Sequence, residues 1–140
     1  MAVDEVAASL LYQVMAVAGQ VTGRMHDGLE RLQLTGPTAN LLWVLNPDAE
    51  PQSLRKLATV LHCDPSNITL LSAQLEDRGL AERRPHPGDG RVRTLVLTSQ
   101  GRKVREQLLT VVAKRSPFAD LDAEEQRLLQ ALLAKALATL

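Results

Sequence analysis

The sequence predicts a mostly α-helical fold with one β-hairpin, and three observations lead to this prediction. Hydrophobic residues make up 45% of the 140 residues, but there is one Trp, one Tyr and one Phe, so the core must be aliphatic. Apolar residues recur at spacings of three and four near both termini, which is the period of an amphipathic helix. A single strand-turn-strand pattern follows two short helical segments in the middle of the chain. A core of this size fits one domain.

Two apolar stripes near the termini predict the long helices. We expect the first helix to end near Gly28. We expect the last to begin after Asp122, because Glu125 can complete a capping box with it. The stripes are Leu10, Val14, Val17, Val21 and Met25 in the first helix, and Leu129, Leu132, Leu133, Ala136 and Leu140 in the last.

The elements between these helices offer little surface to cover both stripes. We therefore expect a homodimer formed through residues 10–21 and 121–140. The alternative is that both stripes pack on the core of the chain itself. Within one domain spanning 1–140, the expected division is a central lobe over about residues 35–100, flanked by dimerisation helices over about 1–30 and 100–140.

Three short helices are predicted in the central lobe. Residues 38–45 form the first helix, which ends at Asn46-Pro47. Trp43 is expected on the side of this helix that faces the core. Residues 53–61 form the second. The third is framed by Asp64 as its cap, Pro65 at its first position and Gly79 at its left-handed end. The last two, joined by about three residues, predict a helix-turn-helix.

The third helix has one apolar and one uncharged polar face. Ile68, Leu71 and Leu75 fall together on a helical wheel, and no acid precedes Asp77 on the other side. Side chains of this kind can hydrogen-bond to base edges and phosphates, which predicts a DNA recognition helix; an ordinary solvated face is the alternative. The polar arc consists of Ser66, Asn67, Thr69, Leu70, Ala73 and Gln74.

An arginine-rich hairpin is predicted after this helix. Residues 80–84 and 91–98 are strand-like, and PHPGDG between them is expected to be the turn. Residues 53–105 contain ten Lys and Arg against five Asp and Glu, although the whole chain is neutral. A basic middle segment favours a polyanionic partner, while a solvated basic surface stays open.

The order of these elements resembles a winged helix-turn-helix of the MarR family of bacterial transcription regulators. The resemblance covers nearly the whole chain and is strongest over LATVLHCDPSNITLLSAQLEDRGLAERRPHPGDGRVRTLVLTSQG. It implies a sequence-specific DNA-binding regulator, acting as a ligand-responsive repressor or activator on a pseudo-palindromic operator in double-stranded DNA. No cofactor is implied.

The family's recognition helix enters the major groove, and the wing arginine of its D-x-R motif reaches the minor groove. The resemblance therefore assigns base readout to Ser66, Asn67 and Thr69, and the wing contact to Arg91, oriented by Asp89. One departure is Leu70, where the family commonly has a polar or basic residue; contact with a thymine methyl group is open to it. The full set of expected DNA contacts is Pro65, Ser66, Asn67, Thr69, Leu70, Gln74, Arg84, Asp89, Arg91 and Arg93.

The resemblance also implies a small aromatic effector, bound between the dimerisation helices and the DNA-binding lobe. Met25, His26 and Trp43 are the candidate pocket residues. Cys63 raises the alternative of a thiol-oxidation sensor, since a thiol near a helix N-terminus can be reactive; a small apolar residue filling the turn is the other interpretation.

Enzymes and secreted proteins are disfavoured by the sequence. The three histidines lie on different elements, without carboxylate partners at ligand spacing, and the single cysteine gives neither a disulfide nor a cysteine-based zinc site. No run of 18 uncharged apolar residues occurs, and acids lie near the N-terminus, so a cytoplasmic protein without a membrane partner is expected. The remaining alternative function is a winged-helix module that binds an acidic protein surface.

Overall fold

The structure, a computed structural model, describes residues 2–139, without the side chains of residues 2, 3 and 115. Within that range the fold is mostly α-helical with one antiparallel hairpin, which confirms the predicted class. One compact unit covers Arg24–Lys114, and a second consists of the described residues on either side of it. The elements are α1 (Ala2–Arg31), α2 (Gly36–Val44), α3 (Leu54–Val60), α4 (Pro65–Asp77), β1 (Ala81–His86), β2 (Asp89–Leu97), α5 (Ser99–Arg115) and α6 (Ala123–Leu137).

The core of the central unit is aliphatic, as predicted. Helices α2 to α5 and both strands contribute buried residues to it, and most of these are leucines. The largest fully buried apolar side chains are Leu41, Leu42, Leu57, Ile68, Leu75, Leu80, Leu95 and Leu108.

Helix α2 begins at Gly36, slightly before its predicted start. Thr35 caps it and forms a capping box with Thr38, and Pro37 lies in the first turn. The prediction that Trp43 is a core residue is wrong: it is 45% exposed. The inward face of α2 is already filled at the helical spacing of Thr38, Leu41 and Leu42, and Trp43 falls outside it.

The helix-turn-helix consists of α3 and α4. Ser53 caps α3 through the backbone N–H of Lys56 at 3.0 Å, and His62 takes a left-handed conformation (φ 53°) in the turn. Asp64 occupies the cap position of α4, but its side chain makes no capping hydrogen bond, which corrects its predicted role. Gly79 closes the end of α4 at φ +70°, as predicted.

The hairpin is tighter than the sequence predicted. β1 extends through Pro85 to His86, which pairs with Asp89, so the reversal falls at Pro87-Gly88 rather than over all of PHPGDG. The register shifts between Pro85 and His86, because a proline lacks the N–H that a regular ladder needs.

Thr98 and Gly101 connect the start of α5 to the segment that follows α4. The hydroxyl of Thr98 donates to the Gly79 carbonyl at 2.6 Å and accepts from the Gly101 N–H at 3.0 Å, so one side chain links the end of α4 to the start of α5. A Cβ at position 101 would overlap the carbonyl oxygen of Leu80. This contact explains why a glycine stands three residues after Thr98.

The terminal unit carries apolar side chains that it does not bury. α1 runs to Arg31, three residues beyond the predicted end at Gly28. By length and composition alone it could cross a membrane, with a mean hydropathy of 1.3 over its most apolar stretch, none of it buried in this fold. Leu140 of the predicted last stripe lies outside the described residues. The exposed apolar residues are Val6, Leu10, Leu11, Tyr12, Val14, Met15 and Val17 in α1, and Leu128, Leu132, Leu133 and Leu137 in α6.

Candidate nucleic-acid interface

Helix α4 presents an uncharged surface to solvent. Ile68, Leu71 and Leu75 are buried, as predicted, and this fixes which side of the helix faces outward. We call the outward side the α4 arc: Ser66, Asn67, Thr69, Leu70, Ala73 and Gln74, of which all but the half-buried Ala73 are exposed, like Pro65 beside them.

Two polar residues of the α4 arc differ in what they can offer a ligand. The Thr69 hydroxyl donates to the Pro65 carbonyl at 3.0 Å, so its proton is used within the helix and its lone pairs and methyl group remain. The Asn67 side chain forms no hydrogen bond within the described residues, and its backbone N–H bonds to Asp64 at 3.0 Å. The amide of Asn67 is therefore free to donate and accept outside the chain.

The hairpin carries four arginines, and they fall into two pairs by their neighbours. Within the part of the chain that the structure describes, the guanidinium groups of Arg91 and Arg93 on β2 make no ion pair or hydrogen bond, and both residues are exposed. Those of Arg83 and Arg84 on β1 are each engaged by a glutamate. Arg91 and Arg93 are thus the two hairpin arginines available to form ion pairs with a polyanion.

Asp89 acts on the wing backbone. Its Oδ1 accepts the backbone N–H of Arg91 at 3.0 Å, and the two residues form no ion pair in the described structure. Asp89 therefore fixes the chain direction at the start of β2, and the Arg91 side chain extends from a backbone held in this way. The predicted link between the two residues exists through the main chain rather than through the guanidinium.

Arg83 joins the hairpin to α4. Its Nε lies 2.6 Å from Oε1 of Glu76, and its Nη2 donates to the Thr69 carbonyl at 3.3 Å. The α4 arc and the hairpin are thereby held as one surface. Arg84, which is expected to contact phosphate, pairs in this structure with Glu82, two residues before it on the same strand.

Sequence reasoning missed the Glu76–Arg83 contact. The signal for it is weak, because the two residues are seven positions apart on a helix and a strand whose relative placement no local pattern gives. The two-residue period of a strand could have predicted part of this arrangement. Arg84 and Glu82 share one face of β1, and Arg83 lies on the other face, toward α4.

Known proteins resemble this chain in sequence and in fold. A model of the MarR family matches residues 40–92. The HTH-type transcriptional repressor IacR of Pseudomonas putida is 30% identical over 120 residues, which span 84% of this chain and 71% of IacR. This chain belongs to the MarR family. It is a DNA-binding transcription regulator of the winged helix-turn-helix class.

Solved structures of other proteins share the fold of this MarR-family chain. The transcriptional repressor CouR, bound to a 23-mer DNA duplex, superposes with a TM-score of 0.76 at 25% identity, over 94% of each chain. CouR from Rhodococcus jostii RHA1 bound to p-coumaroyl-CoA superposes with a TM-score of 0.78 at 24% identity, over 89% of this chain and 88% of CouR. At 24% identity, the similarity to the p-coumaroyl-CoA complex shows a shared fold and nothing about ligands.

The three candidate effector residues of this MarR-family chain have different neighbours. Met25 is half-buried and packs on the core. Trp43 lies under the guanidinium of Arg105, 5.8 Å from the ring centroid, and its carbonyl accepts from Arg105 at 3.0 Å. Nε2 of His26 lies 3.8 Å from a carboxylate oxygen of Glu30. The expectation that no histidine has a carboxylate partner at ligand spacing is therefore wrong for His26, because residues four apart share a helix face.

Cys63 lies in the turn between α3 and α4. It is half-buried and packs on the core, and its backbone N–H donates to the Ala58 carbonyl at 3.0 Å. This environment is the one expected of a small apolar residue that fills the turn. Oxidation of the thiol stays an untested prediction.

Proposed function

We propose that this regulator binds a pseudo-palindromic operator as a homodimer and releases it when a small aromatic effector binds. The observation that carries the DNA-binding part is the surface formed by the uncharged α4 arc and the unpaired Arg91 and Arg93, held together by Arg83 and Glu76. A helix face rich in amides and hydroxyls suits base edges, and a nearby cationic wing suits phosphates. Repression, rather than activation, is the proposed outcome of binding.

The residues divide into two roles. Ser66, Asn67 and Gln74 would read base edges in the major groove, where amides recognise adenine and hydroxyls are less selective. Arg91 and Arg93 would reach the backbone and the adjacent minor groove, where the negative potential is high. Secondary contacts are proposed for Pro65, Thr69, Leu70, Arg84 and Asp89.

The homodimer is proposed from the unburied apolar faces of α1 and α6. Leu10 and Val14 in α1, and Leu132 and Leu133 in α6, lie in water in the single chain. Burying such a side chain stabilises by about 1.5–3 kcal/mol, so several together favour association. A second copy is favoured over a lipid bilayer because Gln13 and Gln20 interrupt the apolar stretch of α1. The proposed role of residues 1–30 and 100–140 is dimerisation, and that of 35–100 is DNA binding.

An aromatic effector is proposed from the family and from Trp43. CouR has been solved with p-coumaroyl-CoA, and Trp43 offers an exposed ring with a neighbouring cation, Arg105. Such a pair suits a planar ligand with an acidic group. We propose no enzymatic reaction, metal or cofactor for the chain, and a cytoplasmic location, where its operator DNA would be.

Fluorescence anisotropy tests the DNA-binding proposal. The affinity is measured on a duplex carrying the preferred sequence and on a scrambled duplex of equal length, at salt concentrations from about 50 to 200 mM. We expect the affinity to fall steeply with salt on both duplexes and to be about 10³-fold or more higher on the preferred one. Equal affinity for both duplexes at every salt concentration would contradict sequence-specific binding and favour a protein partner.

The single tryptophan makes the effector proposal measurable as well. A bound aromatic acid or thioester is expected to quench Trp43 fluorescence and to weaken operator binding at the same concentration. Quenching without any change in operator affinity would contradict the regulatory role. Release of the operator without quenching would place the effector away from Trp43.

A further inference from the structure

Leu70 is the large apolar side chain of the α4 arc. It is 56% exposed, whereas Leu71 and Leu75 of the same helix are buried. A single exposed leucine is common on protein surfaces and indicates nothing by itself. Its position is what matters: Asn67 precedes it by three residues and Gln74 follows it by four, so an amide flanks it on either side along the helix.

The α4 arc around Leu70 carries no charged side chain. No charged side chain occurs from Ser66 to Gln74, so the arc cannot recognise phosphate by ion pairing. The neighbouring Thr69 uses its hydroxyl proton on the Pro65 carbonyl, which leaves a methyl group and two lone pairs beside Leu70. Leu70 therefore offers van der Waals contact within a face whose other groups form hydrogen bonds.

We infer that Leu70 contacts the 5-methyl group of a thymine in the major groove of the operator. The inference rests on the proposed DNA-binding role of α4. Donors and acceptors line the major-groove edge of every base pair, and the thymine methyl is the apolar group among them. A leucine placed against a polar edge would leave that edge unsatisfied, whereas against a thymine methyl both contacting surfaces are apolar.

The helix geometry also predicts where this thymine lies. Leu70 is about 4.5 Å along the helix from Asn67 and about 6 Å from Gln74, at roughly 1.5 Å per residue. Base pairs are stacked about 3.4 Å apart. The thymine is therefore expected within about one or two base-pair steps of an adenine read by Asn67 or Gln74.

Replacing thymine with deoxyuridine tests the contact, because the two pair identically and differ by the methyl group. The preferred site is first selected from random duplexes with the wild-type protein. Each thymine of the half-site is then replaced in turn, at the symmetric position in both halves, and the affinity is measured by anisotropy. The proteins are wild type, Leu70→Ala, Leu70→Gln, Leu70→Met and Val60→Ala, the last removing an exposed apolar side chain from α3, off the α4 arc.

At one thymine we expect the wild-type affinity to fall about fourfold for each half-site, the effect of one buried methyl group. Leu70→Met and Val60→Ala should keep this difference, while Leu70→Ala and Leu70→Gln should bind thymine and deoxyuridine duplexes equally. Thermal unfolding verifies that the variants are folded.

Two results would overturn the inference and leave sequence-specific binding intact. One is a deoxyuridine penalty that persists in Leu70→Ala and Leu70→Gln at the same thymine. The other is the absence of any thymine at which the wild type distinguishes the two bases. A selection that enriches no sequence would instead overturn the proposed function, and this inference with it.

Discussion

The guanidinium of Arg83 on β1 pairs with the carboxylate of Glu76 on α4, with Nε 2.6 Å from Oε1. Both side chains are about one-third exposed, at 34% and 33%. A pair this accessible contributes about 1 kcal/mol or less to folding. Its importance is geometric, because it holds the hairpin against α4, and the proposed function requires DNA to contact both.

We therefore predict that Glu76→Gln weakens operator binding about three- to tenfold and lowers the free energy of unfolding by about 1 kcal/mol at most. Glu82→Gln is the matched control, since it also removes one carboxylate and frees Arg84 to reach phosphate. It should bind the operator as tightly as the wild type, or more tightly. Anisotropy and thermal unfolding measure both effects. If the two variants bind equally tightly, charge alone matters and the positioning role is refuted.

The free amide of Asn67 yields the second prediction. Asn67→Ala should weaken operator binding by about 1–3 kcal/mol and leave binding to random DNA nearly unchanged, because the variant cannot hydrogen-bond to a base edge but keeps every phosphate contact. Asn40→Ala, at an exposed position of α2, is the matched control and should bind as the wild type does. An equal weakening on specific and random duplexes would contradict base readout.

The third prediction concerns the wing cation Arg91. Arg91→Ala should weaken binding to operator and random duplexes alike, and should reduce the slope of log affinity against log salt by about 0.9 for each phosphate that the arginine neutralises. Titrations at several salt concentrations measure this slope. A variant with unchanged affinity and slope would show that the wing does not touch DNA.

Asp89 permits a sharper comparison in the same turn. Asp89→Ala removes the oxygen that accepts the Arg91 N–H, and should weaken DNA binding although it removes a negative charge. Asp89→Asn removes the same charge but keeps an acceptor oxygen, so it should bind at least as tightly as the wild type. Tighter binding by Asp89→Ala would mean that the wing acts through diffuse charge.

The fourth prediction is a stability effect at Gly101. Gly101→Ala should destabilise the protein by about 1–3 kcal/mol, because its Cβ meets backbone, the Leu80 carbonyl, which cannot move aside as a flexible side chain would. Gly90→Ala is the control, as nothing lies within 4 Å of its Cβ. Thermal unfolding at one fixed protein concentration compares them. Equal melting temperatures would show that the backbone at Leu80 can move away from α5 at little cost.

The features that the sequence predicted correctly depend on local signals. Pro65 and Gly79 frame α4, and the spacing of Ile68, Leu71 and Leu75 sets its buried face, because capping and periodicity act within one helix. A helical wheel of α2 would also have placed Trp43 outside the core. The prediction of burial followed from the residue type, and residue type does not decide which face of a helix a residue occupies.

The features that the sequence did not predict depend on residues distant in the chain or on the register of the two strands. Prolines and glycines indicate the hairpin tip, but the pairing of His86 with Asp89 is set by strand register. The partners of Arg83 and Arg84 follow from the packing of β1 on α4, which no propensity encodes. The DNA contacts of the α4 arc stay predictions.

Selection of preferred sites from random duplexes, followed by sedimentation of the complex, tests whether two copies of this chain bind one two-fold operator. We expect an enriched pseudo-palindrome whose half-sites are about 10 base pairs apart, bound by two chains, because a two-fold dimer presents two α4 arcs to one face of the duplex. Leu132→Lys, placing a charge in the exposed α6 face, should give a monomer that binds this site weakly. A single enriched half-site occupied by one chain, or no enriched sequence, would contradict operator binding by a homodimer.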